Sequence, residues 1–291
     1  MADLAGLVVS GCATGAIYAL VALGFTLLWQ TSQTVNFAQG EFVMLPAFFM
    51  LAVAHAGLPF WAAVIVGIAI TMLVLGLGFK RLLVDPMLRH GVLSLAIATM
   101  ALSLFLKESV KEFYSAEAQP FPSLVPGGDL NLGGVLISLQ SLGVLSLAVL
   151  AVVLLQLLLN RTSVGRQMQA AAQSPTVARI LGIPVERMIL YAFLINAALV
   201  ALASLLITPI DLAKFSSGET LGLAAFIAAI VGGFNAVRGA IAGGFLLGVL
   251  DNLGAAYVST QYRGAIPLLL LIAVILFRPQ GLMGHAEERT V

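Results

Sequence analysis

Val135-Leu-Ile-Ser-Leu-Gln-Ser-Leu-Gly-Val-Leu-Ser-Leu-Ala-Val-Leu-Ala-Val-Val-Leu-Leu-Gln-Leu-Leu-Leu159 contains no acidic or basic residue. About 20 apolar residues in a helix span the hydrocarbon core of a bilayer. Lipid offers no hydrogen-bond partners, so a lone segment crossing it must satisfy its own backbone, and only a helix does that. Working outward, comparable segments occur at 5–29, 41–57, 60–79, 91–107, 188–208, 220–236, 240–258 and 264–277. The segments at 41–57 and 264–277 are short for a full crossing and are expected to be tilted, broken or re-entrant. The expected fold is all-α: a polytopic transmembrane helical bundle of about 8–10 spans, with residues 1–291 as a single domain.

Composition agrees with this reading. Hydrophobic residues make up 60% of the chain and charged residues 9%, against roughly 25% charged in soluble domains. A net charge of +1 gives no basic stripe for nucleic acid. The single cysteine, Cys12, supports neither a disulfide framework nor a metal cluster. Asp3 and the absence of Lys or Arg near the N-terminus argue against a cleavable leader, so the first helix is expected to stay.

Basic residues set the orientation. Lys80, Arg81 and Arg89 lie in 80–90, and Arg161, Arg166, Arg179 and Arg187 in 160–187. The positive-inside tendency assigns both segments to the cytoplasm. Alternation then adds Arg238, Arg278 and Arg289, leaving Lys107, Lys111, Lys214 and Arg263 outside, together with the N-terminus. Two outer segments look structured. Residues 108–134 read as a short polar helix followed by turns at Pro120, Pro122, Pro126 and Gly127–Gly128, and 209–219 form a second link. They fit either a platform for a soluble partner or ordinary solvated loops.

Polar residues at membrane depth are costly and mark either a pathway or a helix tie. Asn36, Gln39 and Glu41 follow a polar run with no basic neighbour, and Asp251 and Asn252 sit inside an apolar span. These five are the candidate translocation-pathway residues, with helix-tying as the competing role. Gly11 and Gly15, Gly239 and Gly243, and Gly244 and Gly248 are spaced four apart, as in helix faces that approach closely. Gly232–Gly233 fits a helix break.

The cytoplasmic loop 160–187 carries its own helix signals. Ser174 and Pro175 form a start, as N-cap and first helical residue, and Gly182 forms a stop. Val177, Ile180 and Leu181 then form an apolar ridge. So short a helix needs a groove to lie in, either on a partner or on the protein's own helix ends. The candidate docking residues are Arg166, Val177, Arg179, Ile180, Leu181 and Gly182. No Gly-x-x-x-x-Gly-Lys-[Ser/Thr] loop for ATP phosphates occurs in the chain.

Several stretches resemble the branched-chain amino acid permeases of ATP-binding-cassette importers. These are Gly15-Ala-Ile-Tyr-Ala-Leu-Val-Ala-Leu-Gly-Phe-Thr26, Val35-Asn-Phe-Ala-Gln-Gly-Glu41, and the loop Gly165-Arg-Gln-Met-Gln-Ala…Ala178-Arg-Ile-Leu-Gly-Ile183. Ala229-Ile-Val-Gly-Gly-Phe234, Gly239-Ala-Ile-Ala-Gly-Gly244 and the ending Phe277-Arg-Pro-Gln-Gly-Leu282 complete the set, in the family's order. The chain departs from the family at Gln39, where histidine is usual, and at Gln173-Ser174, where an acidic residue is common. The short length resembles the smaller of the two paired permease subunits.

The resemblance implies a multi-pass protein of the bacterial inner membrane with no catalytic site. Its implied partners are a second related permease subunit, two cytoplasmic ATPase subunits that bind the ATP, a periplasmic substrate-binding protein and membrane lipid. The cargo would be branched-chain or other small amino acids or related solutes. The rival reading is an ion-coupled secondary transporter relaying charge through Glu41 or Asp251.

Overall fold

The structure, a computed structural model, describes residues 2–114, 116–125, 127–132, 135–259 and 264–284. Pro126, Arg263 and Arg289 lie outside the described residues. The helices are α1 (Ala2–Ser32), α2 (Gln39–His55), α3 (Phe60–Thr71), α4 (Asp85–Leu88), α5 (Val92–Phe113), α6 (Leu139–Arg161), α7 (Ser163–Gln173), α8 (Pro175–Ile180), α9 (Val185–Asp211), α10 (Ser217–Gly232), α11 (Val237–Tyr257) and α12 (Ala265–Phe277). Each of the nine predicted segments carries a helix, and the fold is a polytopic helical membrane bundle. Six helical stretches are long and apolar enough to cross a membrane, while Gln39–His55, Ser217–Gly232 and Ala265–Phe277 are shorter. The chain divides into two compact units, Met1–Thr26 with Ser123–Ala148 and Leu223–Val291, and Leu27–Pro122 with Val149–Gly222.

In the first unit, glycine decides the packing. α1 and α11 run antiparallel with Gly11 and Gly15 against Gly244 and Gly248; a Cβ on Gly15 would sit 2.8 Å from the Gly244 carbonyl oxygen. Gly239 and Gly243 instead face Gly232 and Ala228 of α10. α10 ends at Gly232, and Gly233 takes a left-handed φ of 108° to turn the chain. The orphan carbonyls at this end are met by the ending motif: Leu282 and Met283 donate their N–H groups to Val231 and Gly232 at 2.8 and 2.9 Å.

The outer segment of this unit differs from expectation. Residues 129–132 and 135–138 form an antiparallel hairpin, β1 and β2, pairing Asp129 with Ser138. The span expected to start at 135 therefore starts at Leu139. Val135, Leu136 and Ile137 suit a strand as well as a helix, and the hairpin supplies backbone partners before the helix begins.

In the second unit, α5 continues to Phe113, so the polar helix expected from residue 108 is its last turns. Beyond it, Gln119 and Ala213 exchange backbone hydrogen bonds of 2.9 Å in each direction, joining the two outer segments in a β-bridge.

The segment expected to leave helix at Lys80 remains helical through Leu88, by widening. Met72–Gly78 and Lys80–Val84 are π-helical. Lys80, buried, donates to both carboxylate oxygens of Asp85 at 2.8 and 2.9 Å. At 3.6 residues per turn, residues five apart point about 140° away from each other. The i to i+5 winding turns Asp85 back toward Lys80 and so lets the ammonium be buried.

α2 starts partway along α5. The Phe37 N–H donates to Thr99 Oγ1 at 3.2 Å, and His55 Nδ1 lies 3.2 Å from the Tyr114 hydroxyl at the far end of α5. Thr99 is about 10 Å along α5 from its start at 1.5 Å per residue. The non-helical run 33–38 thus enters the depth of the bundle, with Thr34, Asn36 and Ala38 buried against protein. This accounts for the shortness of α2.

Candidate functional site

Asn36, Gln39 and Glu41 sit where the chain re-enters helix after that run, and all three are buried. Asn36 Oδ1 accepts from the Ala38 N–H at 3.0 Å, a local turn of the kind asparagine favours. Its amide nitrogen donates to Gln39 Oε1 at 3.3 Å. Gln39 then reaches α9: its Nε2 donates to Asn196 Oδ1 at 2.6 Å, and Asn196 Nδ2 donates back to Gln39 Oε1 at 3.1 Å. Three buried amides thus hydrogen-bond one another.

One helical turn further on, the seam becomes aromatic. Phe42 meets Phe79 edge-on with centroids 4.8 Å apart, and Phe79 lies 5.8 Å from Phe193. Gly40 sits in backbone contact with Gly218 and Gly222 of α10, and a Cβ on Gly222 would approach Gly40 Cα to 2.7 Å. Glu41, buried in the first turn of α2, has its Cα 3.0 Å from where a Cβ on Gly218 would fall. Lys107 donates to Glu219 at 2.7 Å. The helix N-terminus favours a carboxylate at this position.

Asp251 and Asn252 lie in the first unit. Tyr18 donates to Asp251 Oδ2 at 3.2 Å, and Asn252 Nδ2 donates to Thr14 Oγ1 at 3.3 Å. Both therefore link α11 to α1 across the glycine seam. The structure brings Asn36, Gln39 and Glu41 together, while Asp251 and Asn252 form a separate cluster. Sequence reading missed Asn196. Asn196 carried a signal, since it is a lone amide in an apolar span.

The cytoplasmic loop folds as two short helices. Thr162 caps α7, its Oγ1 accepting from the Gly165 N–H at 3.0 Å, and Gly165 packs on the backbone of Leu158 and Leu159. Ser174 caps α8 through the Val177 N–H at 3.3 Å. Gly182 takes φ 78°, and the Ile183 N–H donates to Ala178 O at 2.9 Å, closing the helix as its glycine requires. Ala178 faces inward at 1% exposure, whereas Val177, Ile180 and Leu181 are 52%, 79% and 71% exposed. Arg166 is exposed, and Arg179 lies 3.4 Å from Glu186 on the surface. The ridge does not pack back on the described chain.

Long apolar helices, unwound backbone held at depth and small-residue seams define an integral multi-pass membrane protein of the transporter class. The chain belongs to the branched-chain amino acid transport system / permease component family, whose profile matches residues 7–275. It is 31% identical to the high-affinity branched-chain amino acid transport system permease protein BraD of Pseudomonas aeruginosa, covering 97% of this chain and 96% of that one. It is 30% identical to LivH of Escherichia coli K12 over the same shares. The probable branched-chain amino acid transport permease protein LivH of Methanocaldococcus jannaschii is 29% identical, over 91% and 88%. No solved structure matches the chain significantly. The chain is a permease of an ATP-binding-cassette transport system, and this reading displaces ion coupling through Glu41 or Asp251.

Proposed function

We propose that this permease forms the translocation pathway of an importer in the inner membrane for branched-chain or other small amino acids or related solutes. It pairs with a second related permease subunit, receives cargo from a periplasmic substrate-binding protein, and is driven by two cytoplasmic ATPase subunits that bind the ATP. The observation that carries this reading is the capped α8 helix, which presents Val177, Ile180 and Leu181 to solvent within the arginine-bearing loop 160–187. Three exposed aliphatic side chains on a helix too short to stand alone fit a groove on a soluble partner. Membrane lipid would cover faces such as Leu93, Ile97 and Leu104 of α5, which are exposed.

Asn36 and Glu41 lie at the unwound entry to α2 and are proposed to border the pathway. The joined outer segments at Gln119 and Ala213 would offer the delivery surface. The test is uptake into proteoliposomes holding the full complex. Uptake should require ATP and should survive an ionophore. Uptake that persists without ATP and collapses with the ionophore would overturn the reading.

A further inference from the structure

Phe37-Ala-Gln-Gly-Glu41 recurs as Phe215-Ser-Ser-Gly-Glu219, and the recurrence extends to geometry. Each copy opens a short helix two residues before its glutamate, α2 of 17 residues and α10 of 16. Each helix ends in a turn of the same length, 56–59 and 233–236, containing a left-handed glycine, Gly57 at φ 95° and Gly233 at φ 108°. Among the described residues, the non-glycine positions with positive φ are Gln33 at 52° and Leu212 at 64°. One precedes each copy. Strain of this kind persists where the surroundings impose it.

The two helices run in opposite directions. α9 and α10, joined by residues 212–216, share a small pocket, which Thr208, Asp211, Ser217 and Leu221 line together with Val43 and Ala47. α2 follows the direction of α9, with Gln39 at Asn196 and Val43 near Thr208. α10 is therefore antiparallel to α2, and the copies form an inverted repeat crossing at Gly40 and Gly218. Such repeats underlie alternating access in other transporter folds.

We infer that Glu41 and Glu219, equivalent residues of this inverted repeat, compete for the single ammonium of Lys107, and that exchange of this ion pair is a switch between outward- and inward-facing states. Lys107 is bonded to Glu219, whose side chain is 70% exposed, while Glu41 is buried in the first turn of α2. The Glu41 Cα lies 3.0 Å from where a Cβ on Gly218 would fall, so the two carboxylates are carried by touching backbones. Rotation at the glycine crossing would move one carboxylate relative to the other and so hand the ammonium over. Two carboxylates and one cation give two discrete pairings, the bistable element that switching needs.

The inference rests on the permease reading, and the experiment separates the two. In the reconstituted complex with Cys12→Ala, exposed Ser216 is replaced by cysteine as a reporter for a water-soluble maleimide. Glu219→Gln should favour the Lys107–Glu41 pairing and Glu41→Gln the Lys107–Glu219 pairing. The two variants should shift labelling rates in opposite directions, with uptake falling about tenfold, as expected for losing one charged hydrogen bond. Assembly with the ATPase should be retained, and Lys107→Arg should keep more uptake than Lys107→Met. Failure of the unsubstituted complex to show ATP-driven uptake would strike the permease reading itself. Normal uptake there, with both glutamine variants within twofold of it or shifting the label in the same direction, would overturn the switch. Glu219 is exposed, so its variant folds even where Glu41→Gln does not, and an unchanged Glu219→Gln alone would suffice to reject it.

Discussion

Gln39 on α2 and Asn196 on α9 exchange two side-chain hydrogen bonds, at 2.6 and 3.1 Å, although 157 positions separate them in the chain. The pair closes the depth of the bundle where α2 begins. At Gln39 a polar residue at membrane depth links α2 to α9.

Gln39→Leu leaves the Asn196 amide buried with no partner. Such a group costs about 1–3 kcal/mol, and interhelical polar contacts in membranes average nearer 0.6 kcal/mol. The variant should unfold at lower temperature in detergent. Gln39→Leu with Asn196→Leu together should lose less than the sum of the two single changes. Additive losses would show that the pair does not act as a unit.

Glycine at the α1–α11 seam should be intolerant where glycine elsewhere is not. A Cβ on Gly244 would approach Ala19 Cα to 2.6 Å, whereas nothing lies within 4 Å of one on Gly264. Overpacking of this kind costs about 1–3 kcal/mol. Thermal unfolding in detergent should show Gly244→Ala clearly destabilised and Gly264→Ala unchanged; equal midpoints would refute the seam.

Ile180→Asp should release the ATPase while sparing the permease. Ile180 is 79% exposed, so the substitution leaves the fold intact. Placed in an apolar groove, however, the carboxylate is an unpaired charge, and its burial is costly. Co-purification from detergent, normalised to permease yield, should drop. Normal recovery with normal stimulated hydrolysis would move the docking role elsewhere.

Cysteines placed at Asn36 and Glu41 in a Cys12→Ala background should react with a water-soluble thiol reagent only while the complex cycles. Both positions are buried in this conformation, so labelling at rest should be slow. Inertness under turnover would leave them as structural ties and remove them from the pathway.

How far the sequence reached can be seen at particular residues. The start and stop of α8 were legible because caps are local: serine, proline and glycine act within a turn of themselves. Gln39 was legible as a suspect, but not its partner. A burial cost is written in residue type, whereas Asn196 comes near only when α9 packs on α2. The π-helical winding around Lys80 was illegible because an ordinary helix and a widened one read alike, and burial of the ammonium against Asp85 favours the latter. The second Phe-x-x-Gly-Glu stretch stood in the sequence throughout, and only its contact at Gly40 gave it meaning.

The sequence by itself determined that this is a helical membrane protein and which segments are apolar enough to enter the bilayer. Lipid withholds hydrogen bonds from the backbone, so apolar length alone commits a segment to helix. Tertiary structure decided which helices meet, where the chain unwinds, and which polar groups face each other. In lipid, apolar surfaces do not distinguish one neighbour from another. Partner choice falls to close glycine contacts and to a few amides and charges, whose meeting depends on the whole chain.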